Sequence, residues 1–486
     1  MTPGRFQSPT ARWAAPALLG LGTATLLAYA LLWLEPLWLG DFHPFDGPAL
    51  SMGPILGLDA GGVLRFALAV AAPMALYVAA LLVLPHVQPR LAWKVALGVA
   101  AAAPLVLLYT YPALAADVFD YLMIGRILSA HAANPYTLAP SAFREDPYYP
   151  PVGWKDLLSV YGPAWVLTMG AIVKLCGTTT VAALLLTKFL AVFAHWGTAG
   201  LVYLTTRRVA PSRALFAFVA YAWNPLMLIH FAVDGHNDSL LLLFLMASIY
   251  LGLDRRWGLS LPLLTLSMLV KFVPAVLLPL FVWKARQDKV ALAAGLGASL
   301  AIAALTFAPL WAGQDTFAGV RDQASRMTSS PASLASFYLP ESWLRPLAFL
   351  GFAAGYIVLL KRNAGIIEGS YAVLLLYLMV LSFWTKPWYF TWPVALGAIL
   401  GGYAFWITVP GVLGLFASNI FGSWGWLMNW FNWQQRWGAR FIEACLTATT
   451  LGGWVLGGVA VLLIHKRRRG TTAERAIGRT VERAAG

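Results

Sequence analysis

Two carboxylates stand three residues apart in the stretch DVFDYLMIGRILSAHAANPYT, residues 117–137, which also carries Arg126, His131 and an Asn-Pro-Tyr at 134–136. On a helix that spacing puts Asp117 and Asp120 on one face. A carboxylate so placed can take the proton of an attacking hydroxyl or bind a divalent cation; as a plain structural element it caps a helix by accepting its free N–H groups. Arg126 can pair with Asp120 or hold a phosphate through its planar fork. Further on, GHND packs His236, Asn237 and Asp238 into one turn. That set lacks the ligand spacing of a zinc site, and Asn237 or Asp238 can equally cap the apolar helix that follows. Lys271 stands in a nearly charge-free segment beside Val270, Phe272 and Pro274. It can snorkel to an interface, but its apolar neighbours favour an anion partner such as a lipid phosphate. Lys386, between Trp384 and Trp388, reads as an interfacial residue or as a second phosphate ligand.

A surface carboxylate, cations for a phosphate and a groove for a lipid tail are the components of an enzyme that uses a lipid-linked phosphate. The chain that must position them is a polytopic membrane protein. Its 486 residues are 60% hydrophobic and 11% charged, and apolar runs such as 16–38, 63–84, 94–113, 181–204 and 290–311 approach or exceed the roughly 20 residues of a membrane-crossing helix. Strands of a membrane barrel would alternate over about 10 residues, and these runs do not. The first run reads as a retained anchor, with no small-residue cleavage site after it. The net charge of +14 is split among short loops and a basic tail, which fits cytoplasmic anchoring and anionic lipid rather than nucleic acid. Cys176 and Cys445 show neither metal nor redox spacing.

Positive charge orients the spans. Arg5 and Arg12 put the N-terminus, 1–15, inside; the loop 39–62 holds Asp41, Asp46 and Asp59 without Lys or Arg and lies outside; HVQPRLAWK returns inside. The segment 114–162 is then an outer loop, and 157–177 reads as an amphipathic helix in the outer interface, because counting it as a span would put TTRRVAPSR outside. Between the cytoplasmic DRR and KARQDK only one apolar stretch occurs, 258–283, which satisfies both as a re-entrant hairpin with Lys271 near its tip. An outer loop spans 312–342, and 465–486 is a basic cytoplasmic tail. The expectation is an all-α protein with one transmembrane domain over 16–464, about twelve full spans plus the hairpin, and both termini inside. Most unusual polar residues then gather on one side, and no internal repeat argues for a transporter.

Taken together, DVFDYLMIGRILSAHAANPYT, VYGPAW, NPLMLIHFAVDGHNDSLLLLFL, LVKFVPAVLLPLF and KPWYFTWP resemble, in order, the motif series of GT-C membrane glycosyltransferases. The resemblance is greatest to polyprenol-phosphate-mannose-dependent α-mannosyltransferases of bacteria, including the α(1→6)-mannosyltransferases of actinobacteria, and covers roughly residues 110–395. It implies the GT-C fold and an inverting transferase that moves a sugar, mannose by resemblance, from a polyprenyl-phosphate carrier to a glycan or glycolipid acceptor on the outer face of the cell membrane. The expectation is that no cofactor is required and that a divalent cation is optional rather than expected. The family's catalytic Asp falls on Asp117, with its neighbouring Tyr and Arg on Tyr121 and Arg126. Its Asn-Pro-Tyr falls on Asn134 to Tyr136, its aromatic-Pro helix start on Tyr161 and Pro163, its His-Asn-Asp on His236 to Asp238, and its hairpin Lys on Lys271. The expected roles are Asp117 as base; Lys271, Arg126 and Lys386 at the donor phosphate; and Asp120, Tyr121, Asn134, Tyr136, Tyr161, His236, Asn237 and Asp238 at substrate. One departure is that Asp117 lies in the second outer loop, where many relatives use the first, so Asp41 and Asp46 compete for the role; the surrounding motif favours Asp117. Two rival classes are a lipid-linked-sugar flippase and a polysaccharide polymerase or ligase with a diphosphate-linked donor, whose key loop would be 312–342 with Arg321, Asp322 and Arg326.

Overall fold

The computed structural model describes residues 9–423 apart from 328, 329, 337 and 402; the end of the expected transmembrane domain at 424–464, Cys445 and the basic tail lie outside these residues. Among the described residues every regular element is helical, and an isolated bridge joins Trp38 to Thr110. The protein is an all-α membrane protein. Among the described residues six helices are long and apolar enough to cross a bilayer: Trp13–Leu34, Ala60–His86, Pro89–Leu108, Thr180–Val209, Lys289–Leu310 and Glu341–Lys361. A seventh crossing is available if Pro211–Ala222 and Pro225–Val233, bent by 44°, act as one. Among the described residues the number stays below the expected twelve, part of which falls beyond residue 423. Several apolar runs in that count fold as helices of 10–17 residues, short of the roughly 20 a full crossing takes.

The breaks have local causes. At Asn224-Pro225 the proline lacks an N–H to continue the preceding helix, and the Asn224 side chain accepts the Leu226 N–H at 3.1 Å, starting a new one. In the segment expected as a hairpin, the helix Trp257–Val270 ends at Lys271, which is extended (φ −153°, ψ 135°). A 3-10 turn at Val273–Leu277 and the helix Leu278–Ala285 follow. The expected break at Lys271 is therefore present. The helix expected over 157–177 is shorter, Pro163–Cys176, because Pro163 supplies the preset φ of a first helical residue and the chain before it stays extended.

Two close approaches fix the elements that carry the polar residues. The helix Asp117–Ser129 lies on Pro163–Cys176 so tightly that a Cβ at Gly125 would fall 2.5 Å from the Met169 carbonyl oxygen. The Gly162 N–H donates to the Val270 carbonyl at 3.1 Å, which ties the segment carrying Tyr161 to the residue before Lys271. Tyr121, fully buried, sits edge-on to Tyr161 and Trp165 at 4.8 and 5.2 Å. Such pairs add about 0.5–1.5 kcal/mol each beyond area burial.

Candidate active site

Asp117 begins its helix, yet the residue before it, Ala116, is the cap, and no side-chain capping bond is present. The Asp117 carboxylate is left to accept the Tyr161 hydroxyl at 3.0 Å. Tyr161 is itself fixed, its carbonyl accepting the Tyr136 hydroxyl at 2.7 Å. Asn134 anchors that turn in turn, accepting the Tyr136 N–H at 3.0 Å and donating to the Leu310 carbonyl at 2.8 Å. The chain from Asn134 through Tyr136 and Tyr161 thus ends on one oxygen of Asp117.

Asp120 points elsewhere. Its Oδ1 accepts the N–H groups of Gly153 and Trp154, both at 3.0 Å, drawing the loop 146–156 over the helix. Burial pushes the Asp117 carboxyl above the usual carboxylate range, opposed by the charge of Lys271 and the Tyr161 hydrogen bond. Burial, then the charge of Asp117, pushes Asp120 well above that range, opposed by its two backbone amides. Only Asp117 has cations opposing its rise, those of Lys271 and Lys386, so it is the better placed of the two to ionise.

Both carboxylates line a cavity of about 500 Å³, together with Tyr161, Lys271, Lys386, Arg326 and Arg345. Its apolar wall includes Val273, Val276, Val320, Leu381 and Phe383, and its aromatic wall Trp154, Trp384, Trp388 and Tyr389. Three of the four cations already have carboxylate partners. Lys271 Nζ reaches both oxygens of the fully buried Asp238 at 2.9 and 3.0 Å; Arg326 pairs with Asp322 at 3.0 Å and Arg345 with Glu341 at 2.5 Å. Lys386 has no carboxylate within 4.0 Å among the described residues. It lies 4.8 Å from the Trp384 ring, and burial lowers its ammonium below the usual range while Asp117 opposes the change. One unpaired cation and one poised carboxylate therefore share a cavity with an apolar wall.

Residues 14–287 match the family described as alpha-(1→6)-mannopyranosyltransferase, N-terminal domain. The chain belongs to this family. It is 26% identical over 372 residues to alpha-(1→6)-mannopyranosyltransferase A of Mycobacterium tuberculosis, covering 68% of this chain and 70% of that protein. It is 25% identical over 179 residues to the protein of the same name from Corynebacterium glutamicum, covering 36% of each. The resemblance drawn from the motifs is thereby borne out.

Of the residues singled out in this mannopyranosyltransferase-family sequence, Asp117, Asp120, Tyr161, Lys271 and Lys386 meet at the cavity. Asn134 and Tyr136 stand behind it as the supports of Tyr161. Tyr121, His236 and Asn237 are fully buried and do not line it; the Tyr121 hydroxyl lies 3.3 Å from both His236 Nδ1 and Asn237 Oδ1. Asn237 makes no side-chain cap to the helix Asp238–Leu253, so the capping alternative is not realised. Arg126, expected at the donor phosphate or on Asp120, is at neither. Its Nε donates to Asp146 Oδ2 at 2.8 Å, and His131 Nε2 lies 2.7 Å from the same oxygen. Among the described residues one group of three metal-type ligands occurs, His230, Asp234 and His236, outside the cavity. Sequence reading missed Trp154 and Arg345 as cavity residues and noted Arg326 only for a rival class. Arg326 lies 5.5 and 5.7 Å from the rings of Trp154 and Trp384, a long-range arrangement that no local spacing signals.

The Arg126 arrangement gives a direct test. The Arg126→Ala variant leaves a nearly buried Asp146 with one side-chain partner, at a cost of about 1–3 kcal/mol. The expected result is a lower thermal unfolding midpoint with the donor KM unchanged; a raised KM at an unchanged midpoint would return Arg126 to the phosphate.

Proposed function

We propose that the protein is an inverting mannosyltransferase that takes the sugar from a polyprenyl-phosphate carrier and passes it to a hydroxyl of a glycan or glycolipid. The observation that carries this reading is the juxtaposition of Asp117 and the unpaired Lys386 in a cavity with an apolar wall. Asp117 removes the proton of the acceptor hydroxyl as its oxygen bonds to the anomeric carbon, and the bond from that carbon to the phosphate oxygen breaks. The phosphodiester donor thereby becomes a phosphate monoester with one more negative charge, and Lys386, with Lys271 beside it, stabilises that charge. A phosphate leaves as a stable anion, so the step needs no metal at the reacting atoms. The apolar wall accommodates the first units of the polyprenyl tail.

The charge pattern supports placing the cavity on the outer face of the cell membrane. TTRR, DRR, KARQDK and KRN mark the opposite side, and 257–285, broken at Lys271, dips in and returns. Incubating the purified protein in liposomes with a panel of radiolabelled polyprenyl-phosphate sugars and a membrane extract tests the reaction. Transfer from the mannose donor is expected. No transfer from any donor would leave a flippase, and transfer only from diphosphate-linked donors a polymerase or ligase.

The pH profile follows from the raised carboxyl of Asp117. A base works in its ionised form, so activity falls as pH drops through the raised value, and the acid limb of kcat/KM is expected above the ordinary carboxylate value of about 4. The Tyr161 hydroxyl favours the ionised form, so Tyr161→Phe moves that limb further toward neutral pH. A profile flat down to about pH 4 would remove Asp117 from the proton transfer.

A further inference from the structure

Behind the aromatic wall of the cavity lies a set of buried groups that the transfer does not use. His230, Asp234 and His236 each offer a ligand atom, these atoms lie within 4.8 Å of one another, and none of the three residues is more than 1% exposed. A regular α-helix would turn positions 230 and 236 about 120° apart. Here Ile229–Val233 forms a π turn, Gly235 takes a φ of 71°, and the His236 N–H closes onto the His230 carbonyl at 3.0 Å. Glycine is required at 235, since a Cβ there would lie 3.1 Å from Lys188 Cγ on a left-handed backbone. Such π insertions collect at functional sites.

Each imidazole is held by one nitrogen and free at the other. His230 Nδ1 is 3.2 Å from Asp234 Oδ2, and His236 Nδ1 is 3.3 Å from the Tyr121 hydroxyl. His230 Nε2, His236 Nε2 and Asp234 Oδ1 are buried and have no hydrogen-bond partner among the described residues. Buried polar atoms are rarely left unmatched, and one fixed nitrogen with the other free is the arrangement of a metal-bound histidine. The neighbouring buried cation, Lys188, donates to the Thr110 carbonyl and, at 3.4 Å, to the Thr110 hydroxyl oxygen, so it does not occupy Asp234. Its charge works against a second cation, so all three ligands are needed to hold one.

We propose that His230, Asp234 and His236 bind one divalent cation of the zinc class, two nitrogens and one oxygen suiting zinc and its borderline neighbours. The ion lies under Trp388, whose ring stacks on His236 at 4.4 Å and sits edge-on to His230 at 5.9 Å. It fixes the imidazoles on which this wall of the cavity rests, and it does not touch the reacting atoms.

Metal content decides the matter without any transfer assay, so a failure of the mannosyltransferase reading leaves this test standing. The full chain is grown with zinc, purified in detergent through a tag free of histidine, passed over a chelating resin and analysed by mass spectrometry. About one zinc per chain is expected. It should fall at least about tenfold in Asp234→Asn and His236→Gln but persist in His43→Gln, a residue whose side chain is 84% exposed. Cobalt(II) supplied in place of zinc should give the visible absorption of a nitrogen-ligated low-coordinate site. Gel filtration profiles separate ligand loss from misfolding, and if both variants aggregate the cobalt spectrum of the unaltered protein decides. Less than about 0.1 zinc per chain with no cobalt spectrum, or metal retained in a folded Asp234→Asn, overturns the proposal.

Discussion

Replacing Asp117 by Asn is expected to lower mannose transfer by about 10²–10⁴-fold, the range that a positioned general base supplies, with expression and donor binding unchanged. The substitution preserves shape, and the amide oxygen it introduces would still accept the Tyr161 hydroxyl that now meets Asp117 at 3.0 Å. What disappears is the ability to take a proton. Asp120→Asn is the matched comparison. Its retained oxygen can accept the amides of Gly153 and Trp154, and the loss there is expected to be small. A radiolabel transfer assay with both variants ranks the two carboxylates. Near-normal turnover in Asp117→Asn, or an equal loss in both, would sink the assignment.

The residues singled out in the sequence that the structure brings together are those whose signal is local. An acidic pair opening a helix after an apolar run, a lysine with a proline three residues later in a charge-free segment, and a Gly-His-Asn-Asp turn all stand out within a few positions. The structure puts Asp117, Lys271 and Asp238 at or against one cavity. Their partners are another matter. Arg126 finds Asp146 20 residues away across an irregular loop, and nothing in the spacing of Asp120 and Arg126 warns that Asp120 turns to backbone amides instead. Arg345 reaches the cavity from a helix remote in sequence. The helix breaks were hidden for a related reason. Hydropathy registers how apolar a run is but not where the chain breaks, and Asn224-Pro225 divides a run that reads as continuous. The π turn at 229–233 is equally invisible to periodicity, which is why the ligand-like set at 230, 234 and 236 has no zinc spacing in sequence and yet converges in space.

Lys271 carries the second large effect, and its two roles separate in a double-mutant cycle. Its ammonium meets both oxygens of Asp238, which is fully buried and also accepts the Trp392 indole N–H at 2.5 Å. Lys271→Met therefore strands a buried carboxylate and is expected to cost about 3–5 kcal/mol of stability. Asp238→Asn, leaving the lysine without its counter-charge, is destabilising by a smaller amount because Lys271 is 13% exposed at its side chain and nearer to solvent. The double variant removes both charges, so it should recover most of the stability lost in Lys271→Met, read as the unfolding midpoint in detergent. Transfer should not recover with it. If Lys271 also meets the charge developing on the leaving phosphate, the folded double variant remains slower by about 10²–10³-fold, the effect of losing one preorganised electrostatic partner. Restored transfer in that variant would make Lys271 a structural partner of Asp238 alone and leave Lys386 to hold the phosphate by itself.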